Sequence, residues 1–196
     1  MIKKKGLLLV ISGPSGAGKG TVCKELLERN PEFKLSVSAT TRAPREGEVD
    51  GESYFFLTKE KFSEMIGQGG FLEYAQIYSN FYGTPKGPVM KYLEEGSDVI
   101  LEIEMQGARQ VKEMYPEAVL IFVLPPSLEE LRNRLTTRGT ETEEQVNERL
   151  STSLEEIKQV KDYNYFIFNE NNKTTESAKI IEDIIVAEKN KASRYE

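Results

Sequence analysis

The sequence of 196 residues contains no histidine and only one cysteine, Cys23. Without an imidazole there is no Ser-His-Asp triad, no histidine-ligated zinc and no histidine acid–base step. A lone cysteine excludes an internal disulfide and a cysteine-ligated zinc cluster. These absences remove several catalytic classes and favour a reducing compartment.

Long apolar stretches are absent as well. The longest unbroken apolar run covers residues 118–124, which is far short of the roughly 20 residues that span a bilayer. The basic residues 3–5 and the apolar residues 7–11 resemble a signal peptide only faintly, because a glycine-rich loop follows at once. We therefore expect a cytoplasmic protein with no membrane partner.

The charge balance is acidic, with 26 Lys and Arg against 32 Asp and Glu, a net charge of −6. Hydrophobic residues make up 38% and charged residues 30% of the chain, which is typical of a globular protein with a real core. A general nucleic-acid binder is usually basic overall, so we expect no nucleic-acid partner. A local basic pocket for a small anion remains compatible with this composition.

Three short apolar runs predict buried parallel strands, each followed by a helical pattern. The strands are expected at residues 7–11, 99–103 and 118–124, and the helices at residues 21–29, 108–115 and 127–138. A last strand is expected at residues 165–168 and a closing amphipathic helix at residues 175–189. This alternation predicts an α/β fold with a parallel sheet flanked by helices.

Two stretches interrupt the alternation and divide the chain, which we treat as one domain. Residues 36–87 contain short strand-like pieces and one short helix, which predicts an inserted lobe with a small mixed sheet. Residues 129–162 are charged and are broken at Gly139, and a capping-box pattern from Thr142 to Gln145 starts a long helix, which predicts a mobile helical lid. The core then comprises approximately residues 1–35, 88–128 and 163–196.

A glycine-rich segment directly follows the first predicted strand and begins a helix; it consists of Gly13, Pro14, Ser15, Gly16, Ala17, Gly18, Lys19, Gly20 and Thr21. This is the context of a phosphate-binding loop, in which backbone N–H groups and a helix N-terminus surround an anion. We expect Lys19 to reach the β- and γ-phosphates. The common loop places Ser or Thr after the lysine as a Mg²⁺ ligand, whereas this chain has Gly20 there. We therefore expect Mg²⁺ to be held mainly by phosphate oxygens and water, with no certain protein ligand.

Two pairs of charged residues are candidates for ligand binding. Arg42 and Arg45 flank Pro44 in a loop, where they either grip a phosphate with paired hydrogen bonds or remain solvated. Glu102 and Glu104 are two apart on a predicted strand and share one face. Ligands bind at the carboxyl ends of such strands, although a solvated strand end is the alternative.

Arginines of the predicted lid form a third candidate. Arg134 and Arg138 are four apart on one helix face, and Arg149 follows the break at Gly139. They form either a salt-bridged surface or a source of positive charge for phosphoryl transfer. Phosphoryl transfer to a phosphate oxygen needs no general base, which is compatible with the absence of histidine.

Five motifs occur in order along the chain: GPSGAGKGT (13–21), SVSATTRAPREGEVDGESYFF (36–56), FLEYAQIYSNFYGT (71–84), LEIEMQGA (101–108) and RLTTRGTETEEQVNERL (134–150). With these motifs the sequence resembles the guanylate kinase family over nearly the whole chain. The resemblance implies in-line transfer of the γ-phosphoryl group of ATP to GMP, and also to dGMP, with Mg²⁺. It also implies that the lobe and the lid close over the core before transfer.

The resemblance further implies roles for individual residues. The catalytic set is Lys19, Arg134, Arg138 and Arg149, and Asn169 joins the phosphate loop in binding ATP. The GMP-binding set is Ser38, Arg42, Arg45, Glu48, Tyr54, Glu73, Tyr82, Thr84, Glu102 and Glu104. Guanine offers N1–H and a 2-amino group to a carboxylate such as Glu73, and adenine reverses this pattern at its N1 and C6 positions. Many family members have Asp at position 102 or 104, so the longer glutamates here must reach differently.

Three alternatives remain open at the level of the sequence. Another nucleoside monophosphate kinase would share the phosphate loop but not the arginine, glutamate and tyrosine set of the lobe. An inactive guanylate-kinase-like binding module would typically have a degraded loop, and a GTPase would need an Asn-Lys-x-Asp motif. The nearest string, Asn172-Lys173-Thr174-Thr175, lacks the aspartate. The sequence is compatible with a monomer or a homodimer.

Overall fold

A computed structural model describes residues 5–136 and 142–194. In chain order the elements are β1 (Leu8–Ser12), α1 (Lys19–Arg29), β2 (Lys34–Leu35), β3 (Ala39–Thr40), β4 (Phe55–Phe56), α2 (Lys59–Gly67), β5 (Phe71–Ile77), β6 (Asn80–Pro85), α3 (Lys86–Glu95), β7 (Val99–Glu102), α4 (Met105–Met114), β8 (Val119–Leu124), α5 (Leu128–Thr136), α6 (Glu143–Ile157), β9 (Tyr165–Phe168) and α7 (Thr174–Lys189). Two short 3₁₀ segments, Lys158–Asp162 and Ala192–Arg194, follow α6 and α7. The expected α/β fold is confirmed.

The central sheet has five parallel strands in the order β2-β7-β1-β8-β9. Its middle strand, β1, is buried along its whole length because helices cover both faces of the sheet. Leu9 and Ile11 pack with α1 and α7 on one face. Leu8 and Val10 pack with α3 and α4 on the other face. Because β1 and β7 run parallel, their carboxyl ends lie at the same edge of the sheet, where the phosphate loop and Glu102 lie.

The inserted lobe contains a four-stranded mixed sheet in the order β4-β3-β6-β5. Helix α2 covers this sheet through Phe62, whose ring stacks on Phe71 with 4.3 Å between centroids. Of the lobe aromatics, Phe62, Phe71 and Phe81 form a small core. Tyr78 is 95% exposed instead, because it forms the turn between β5 and β6 with a φ of 54°.

Two helices form the segment predicted to be the lid. Leu131 and Leu135 of α5 pack against Val146 of α6. The capping box at Thr142 and Gln145 is complete, as the sequence predicts. Ser127 and Glu130 have the spacing of a second capping box at the start of α5, but only half of it forms. Oγ of Ser127 accepts the Glu130 N–H, whereas the Glu130 carboxylate accepts a hydrogen bond from Arg134. Arg138 and Gly139 lie outside the described residues. Within the ranges that the structure describes, no helix is both long and apolar enough to cross a membrane.

A buried carboxylate joins three segments on the side of the sheet opposite the phosphate loop. Asp98, which precedes β7, is only 3% exposed. Its Oδ1 accepts a hydrogen bond from the Leu7 N–H at 2.9 Å, and its Oδ2 lies 2.5 Å from the Nζ of Lys189 at the end of α7. A buried charge with these partners holds the start of β1 and the end of α7 together.

We predict that Asp98→Asn lowers the free energy of unfolding by about 1–3 kcal/mol, because the amide weakens the charge-assisted bond to Lys189. Urea denaturation measures this loss. The matched control is Asp183→Asn on the exposed side of α7, which is expected to change stability by less than about 0.5 kcal/mol. Equal effects of the two variants would contradict the stabilising role of the bonds from Asp98 to Leu7 and Lys189.

Candidate active site

The loop between β1 and α1 adopts a conformation that requires glycine. Gly13 has a φ of 149° and Gly18 a φ of 87°. A Cβ atom on Gly13 would lie 2.3 Å from the Val123 carbonyl oxygen, and one on Gly18 would lie 2.3 Å from Nδ2 of Asn169. Gly18 is also the N-cap of α1, so the positive end of this helix faces the loop. The segment thus has the backbone geometry of an anion-binding loop.

Lys19 points back over the loop that precedes it. Its Nζ donates to the carbonyl oxygen of Gly13 at 2.6 Å and lies 3.4 Å from that of Pro14. The ammonium group of Lys19 therefore lies over the loop carbonyls. A phosphate entering the loop would compete with these carbonyl oxygens for the ammonium group. That Lys19 reaches the β- and γ-phosphates stays a prediction.

Glu102 ends β7 next to the phosphate loop. Its Oε1 lies 3.3 Å from the position that a Cβ on Gly20 would take, so a side chain at position 20 would crowd the carboxylate. Glu102 lines an open cleft together with Gly20 and Cys23, so solvent reaches part of the side chain. Partial burial of the carboxylate in this cleft raises the pKa of Glu102. Lys19 opposes that rise in pKa, and the nearby charge of Glu104 adds to it. The expectation that Glu102 and Glu104 share one strand face is wrong, because β7 ends at Glu102 and Glu104 is the N-cap of α4. The charges of Glu104 and Lys19 are nevertheless both close enough to act on Glu102.

Arg134 and Asn169 meet at one carbonyl oxygen of the loop. Nη1 of Arg134 donates to the oxygen of Ala17 at 3.2 Å, and Nδ2 of Asn169 donates to the same oxygen at 2.9 Å. Arg134 also donates to Asn171 at 2.7 Å and to Glu130 at 2.9 Å. These bonds join α5, the loop and the turn after β9. An open cleft beside them is lined by Gly18, Thr21, Arg134, Asn169, Glu170, Asn171, Asn172 and Thr174.

The other lid arginine reaches a different part of the loop. Nη2 of Arg149 on α6 donates to Oγ of Ser15 at 2.6 Å. On the same helix, Oε2 of Glu156 is buried with no hydrogen-bond partner among the described residues. Burial raises the pKa of Glu156, and the charge of Glu104 adds to that rise. Sequence reasoning missed Glu156 and Asn171, because one is among many helix carboxylates and the other follows a strand in a polar turn.

Glu73 and Thr84 form a buried pair in the lobe. They lie opposite each other on antiparallel strands β5 and β6, and Glu73 is only 8% exposed. Oγ1 of Thr84 donates to Oε1 of Glu73 at 2.6 Å. Burial raises the pKa of Glu73, and the bond from Thr84 opposes this rise. The pair presents a carboxylate whose charge is poorly solvated, and donors on a ligand would stabilise that charge.

Arg42 is surrounded by four residues of the predicted GMP set. Two of its N–H groups donate to Glu48 at 3.0 and 2.8 Å, and Glu48 also accepts the Arg45 N–H at 2.7 Å. The Arg42 guanidinium lies 5.5 Å from the ring centroid of Tyr54, whose ring is 6.3 Å from that of Tyr82. The bond from Arg42 lowers the pKa of Glu48.

The other predicted lobe residue, Ser38, is half-buried directly before β3, and its carbonyl oxygen accepts the Phe55 N–H. The structure groups the other predicted residues of the described ranges into four places. These are the phosphate loop with Lys19, Arg149, Glu102 and Glu104, the Arg134–Asn169 cleft, the Glu73–Thr84 pair and the Arg42 cluster. Arg138 lies outside the described residues.

Comparisons with known proteins point to one family. The family model described as "Guanylate kinase" matches residues 5–188. The chain is 70% identical to the guanylate kinase of Clostridioides difficile (strain 630), covering 100% of this chain and 94% of the relative. It is 55% identical to the guanylate kinase of Caldanaerobacter subterraneus subsp. tengcongensis, covering 98% and 93% of the two chains. The solved structure of the guanylate kinase from Anaplasma phagocytophilum is similar, with a TM-score of 0.76 and 36% identity, covering 98% and 90%.

We predict that Glu73→Gln stabilises the protein without ligand at pH 8 and that this gain shrinks toward pH 5. The pKa of Glu73 is higher in the folded than in the unfolded state, so its favourable contribution to folding is lost as the pH rises through the folded-state pKa. The neutral amide removes that loss. Thermal denaturation from pH 5 to 8 is expected to show a Tm gain of roughly 2–4 °C at pH 8.

The control for this pH series is Glu113→Gln, which changes an exposed carboxyl group on α4. This variant is expected to follow the parent protein across the pH range. A constant Tm difference for Glu73→Gln between pH 5 and pH 8 would show that ionisation of Glu73 does not cause the effect.

Proposed function

The chain belongs to the guanylate kinase family and transfers the γ-phosphoryl group of ATP to GMP, and we propose how its residues divide this work. The observation that carries the assignment of roles is the pairing, in one chain, of an intact phosphate loop with a lobe containing a buried carboxylate–hydroxyl pair. ATP would bind at the loop and GMP in the lobe, and the two phosphate ends would meet near Lys19.

The Glu73–Thr84 pair would read the guanine base, with Ser38 beside it. A carboxylate accepts from N1–H and the 2-amino group, and a hydroxyl donates to O6. Adenine presents no donor at N1, so it would leave the buried Glu73 carboxylate unpaired. Sites built in this way reject the wrong base by factors of up to ~10⁴. Glu104 would add a second acceptor near the base.

The Arg42 cluster would hold the phosphate of GMP, with Arg45, Tyr54 and Tyr82 contributing further donors. Glu48 carries the same sign of charge as the phosphate, so we assign it an indirect role. Its two hydrogen bonds to Arg42 hold the guanidinium plane in one orientation before the nucleotide binds. The N–H groups of Arg42 that bind neither Glu48 nor the Ala43 carbonyl oxygen would then bind the phosphate.

Lys19 and the lid arginines would neutralise the moving phosphoryl group. Arg149 reaches the loop at Ser15, whereas Arg134 contacts Ala17 and Asn169 on the side of the cleft that would hold adenine. We assign Arg138 to the phosphoryl group as well, on the motif alone. Positive charge placed in advance around the equatorial oxygens stabilises the transition state, and a phosphate nucleophile needs no base.

Mg²⁺ would enter with ATP and lower the repulsion between its β- and γ-phosphates. Among the described residues no group of three His, Cys, Asp or Glu side chains could hold a metal by itself. Gly20 offers no hydroxyl, while the Glu102 carboxylate lies against Gly20 at the loop. This donor set fits an ion held by phosphate oxygens and water, with Glu102 as its protein neighbour.

Closure of the lobe (residues 36–87) and the lid (residues 129–162) over the core would exclude water and prevent wasteful hydrolysis of ATP. The named contacts engage the base and the phosphate, so dGMP is also a proposed acceptor. Every group in this scheme comes from one chain, which suits a monomer or a homodimer alike. A cytoplasmic location agrees with these substrates and with the single buried thiol.

We predict that Lys19→Ala lowers kcat by about 10²–10³-fold or more, because the charge that follows the γ-phosphoryl group is lost. Its affinity for GMP, measured by calorimetry, is expected to stay within about twofold of the parent. Lys24→Ala is the matched control, because this exposed lysine on the same helix is paired only with Glu28 among the described contacts. A large loss of GMP affinity in Lys19→Ala would contradict the division of roles.

A coupled ADP-release assay with GMP, AMP and UMP tests the reading of guanine. The parent protein is expected to turn over rapidly with GMP alone. Glu73→Gln is expected to lose about 10²–10³-fold in kcat/KM for GMP, while KM for ATP stays within about twofold. Unchanged GMP kinetics in this variant would refute the guanine role of Glu73.

A further inference from the structure

Helix α4 of the core contacts polar groups of strand β5 in the lobe through two residues, Gly107 and Gln110. Gly107 lies in the first turn of α4, and Gln110 follows three residues later. Residues three apart share one face of a helix, so both positions can face the same stretch of β5. That stretch contains Glu73 and Tyr74.

Gly107 lies directly against the carboxylate of Glu73. A Cβ on Gly107 would lie 2.7 Å from Oε2, 3.1 Å from Cδ and 3.2 Å from Cγ of Glu73. These three atoms of Glu73 therefore lie where the side chain of any larger residue at position 107 would begin. A methyl group there would displace the flexible end of Glu73 rather than the helix backbone.

Gln110 holds the backbone next to Glu73. Its Oε1 accepts the Tyr74 N–H at 3.1 Å, and its Nε2 donates to the Tyr74 carbonyl oxygen at 3.0 Å. Strand β5 is at the edge of the lobe sheet, so this amide replaces a neighbouring strand. The pairing of β5 with β6 is irregular between Phe71 and Glu73. The amide thus constrains the strand next to an irregular point of its ladder.

The apolar contact between the two elements does not depend on these two residues. Leu72 of β5 packs with Ala108 and Val111 of α4 in the core cluster on that face of the central sheet. Replacing Gln110 by an apolar residue of similar length would keep this packing. Such a replacement would remove only the two hydrogen bonds to Tyr74. The expected effect is a shift of Tyr74 and of the neighbouring Glu73.

We propose that Gly107 and Gln110 are positioning residues that determine guanine specificity, by setting where the Glu73 carboxylate lies. This inference rests on the proposed role of Glu73 in reading guanine. Both carboxylate oxygens must match the spacing of N1–H and the 2-amino group. A displaced carboxylate loses first the discrimination between GMP and IMP, which differ only by the 2-amino group.

The first test is the ratio of kcat/KM for GMP to that for IMP in Gly107→Ala. The ratio is expected to fall about tenfold, mainly through a higher KM for GMP, while KM for ATP stays within about twofold. The control is Gly87→Ala in α3, where an added methyl group meets nothing within 4 Å. This control is expected to keep the parent ratio.

The second test is Gln110→Met, which removes both amide bonds and keeps the length of the side chain. We expect the ratio of kcat/KM for GMP to that for IMP to fall in this variant too, but by less than in Gly107→Ala, about threefold. Gln159→Met, at an exposed glutamine after α6, is its control. If circular dichroism shows that Gly107→Ala is unfolded, Gln110→Met decides the question alone.

Combination with Glu73→Gln separates the two proposals. If Gly107 and Gln110 act through Glu73, their substitutions change the GMP-to-IMP ratio little further once Glu73 is replaced. An equal fall in that background would overturn the positioning role, as would parent-like ratios in both single variants. An unchanged ratio in Glu73→Gln alone would instead refute the guanine role of Glu73.

Discussion

The joint at Ala17 and Gly18 is the contact on which the arrangement of the site depends. The Ala17 carbonyl oxygen accepts from both Arg134 and Asn169, and this is sterically feasible because Gly18 has no side chain to meet Asn169. One backbone oxygen thereby connects the loop, α5 and the turn after β9. A change at any of these three would disturb the contacts of the other two, since both side chains bind the same oxygen.

Charges in the site are balanced locally, although the protein is acidic overall. Arg42 has Glu48 as its partner and Arg134 has Glu130. Glu73 and Glu156 show the opposite condition, because burial raises the pKa of each carboxyl group. Carboxylates whose charge is disfavoured by burial and arginines held in one orientation suit a ligand that carries both donors and negative charge. A guanine nucleotide carries both.

The features that the sequence predicts well are those with a local physical cause. The buried strands follow from apolar runs, the phosphate loop from glycine spacing next to a strand, and the complete box at Thr142 from residues three apart. Strand β2 has only two residues and gives no pattern to detect. The half-formed box at Ser127 shows tertiary contacts overriding a local rule, because Glu130 binds Arg134 in preference to its own helix start.

Gly107, Gln110 and Asn171 could not have been singled out from sequence, because their importance arises only when α4, β5 and the loop meet in space. The amide of Gln110 has one more consequence. An edge strand with open N–H and C=O groups invites pairing with another chain, which leads to aggregation. By occupying both groups of Tyr74, this side chain closes part of the lobe's exposed edge, so a contact that orients a carboxylate also helps to keep copies of the protein from adhering to one another.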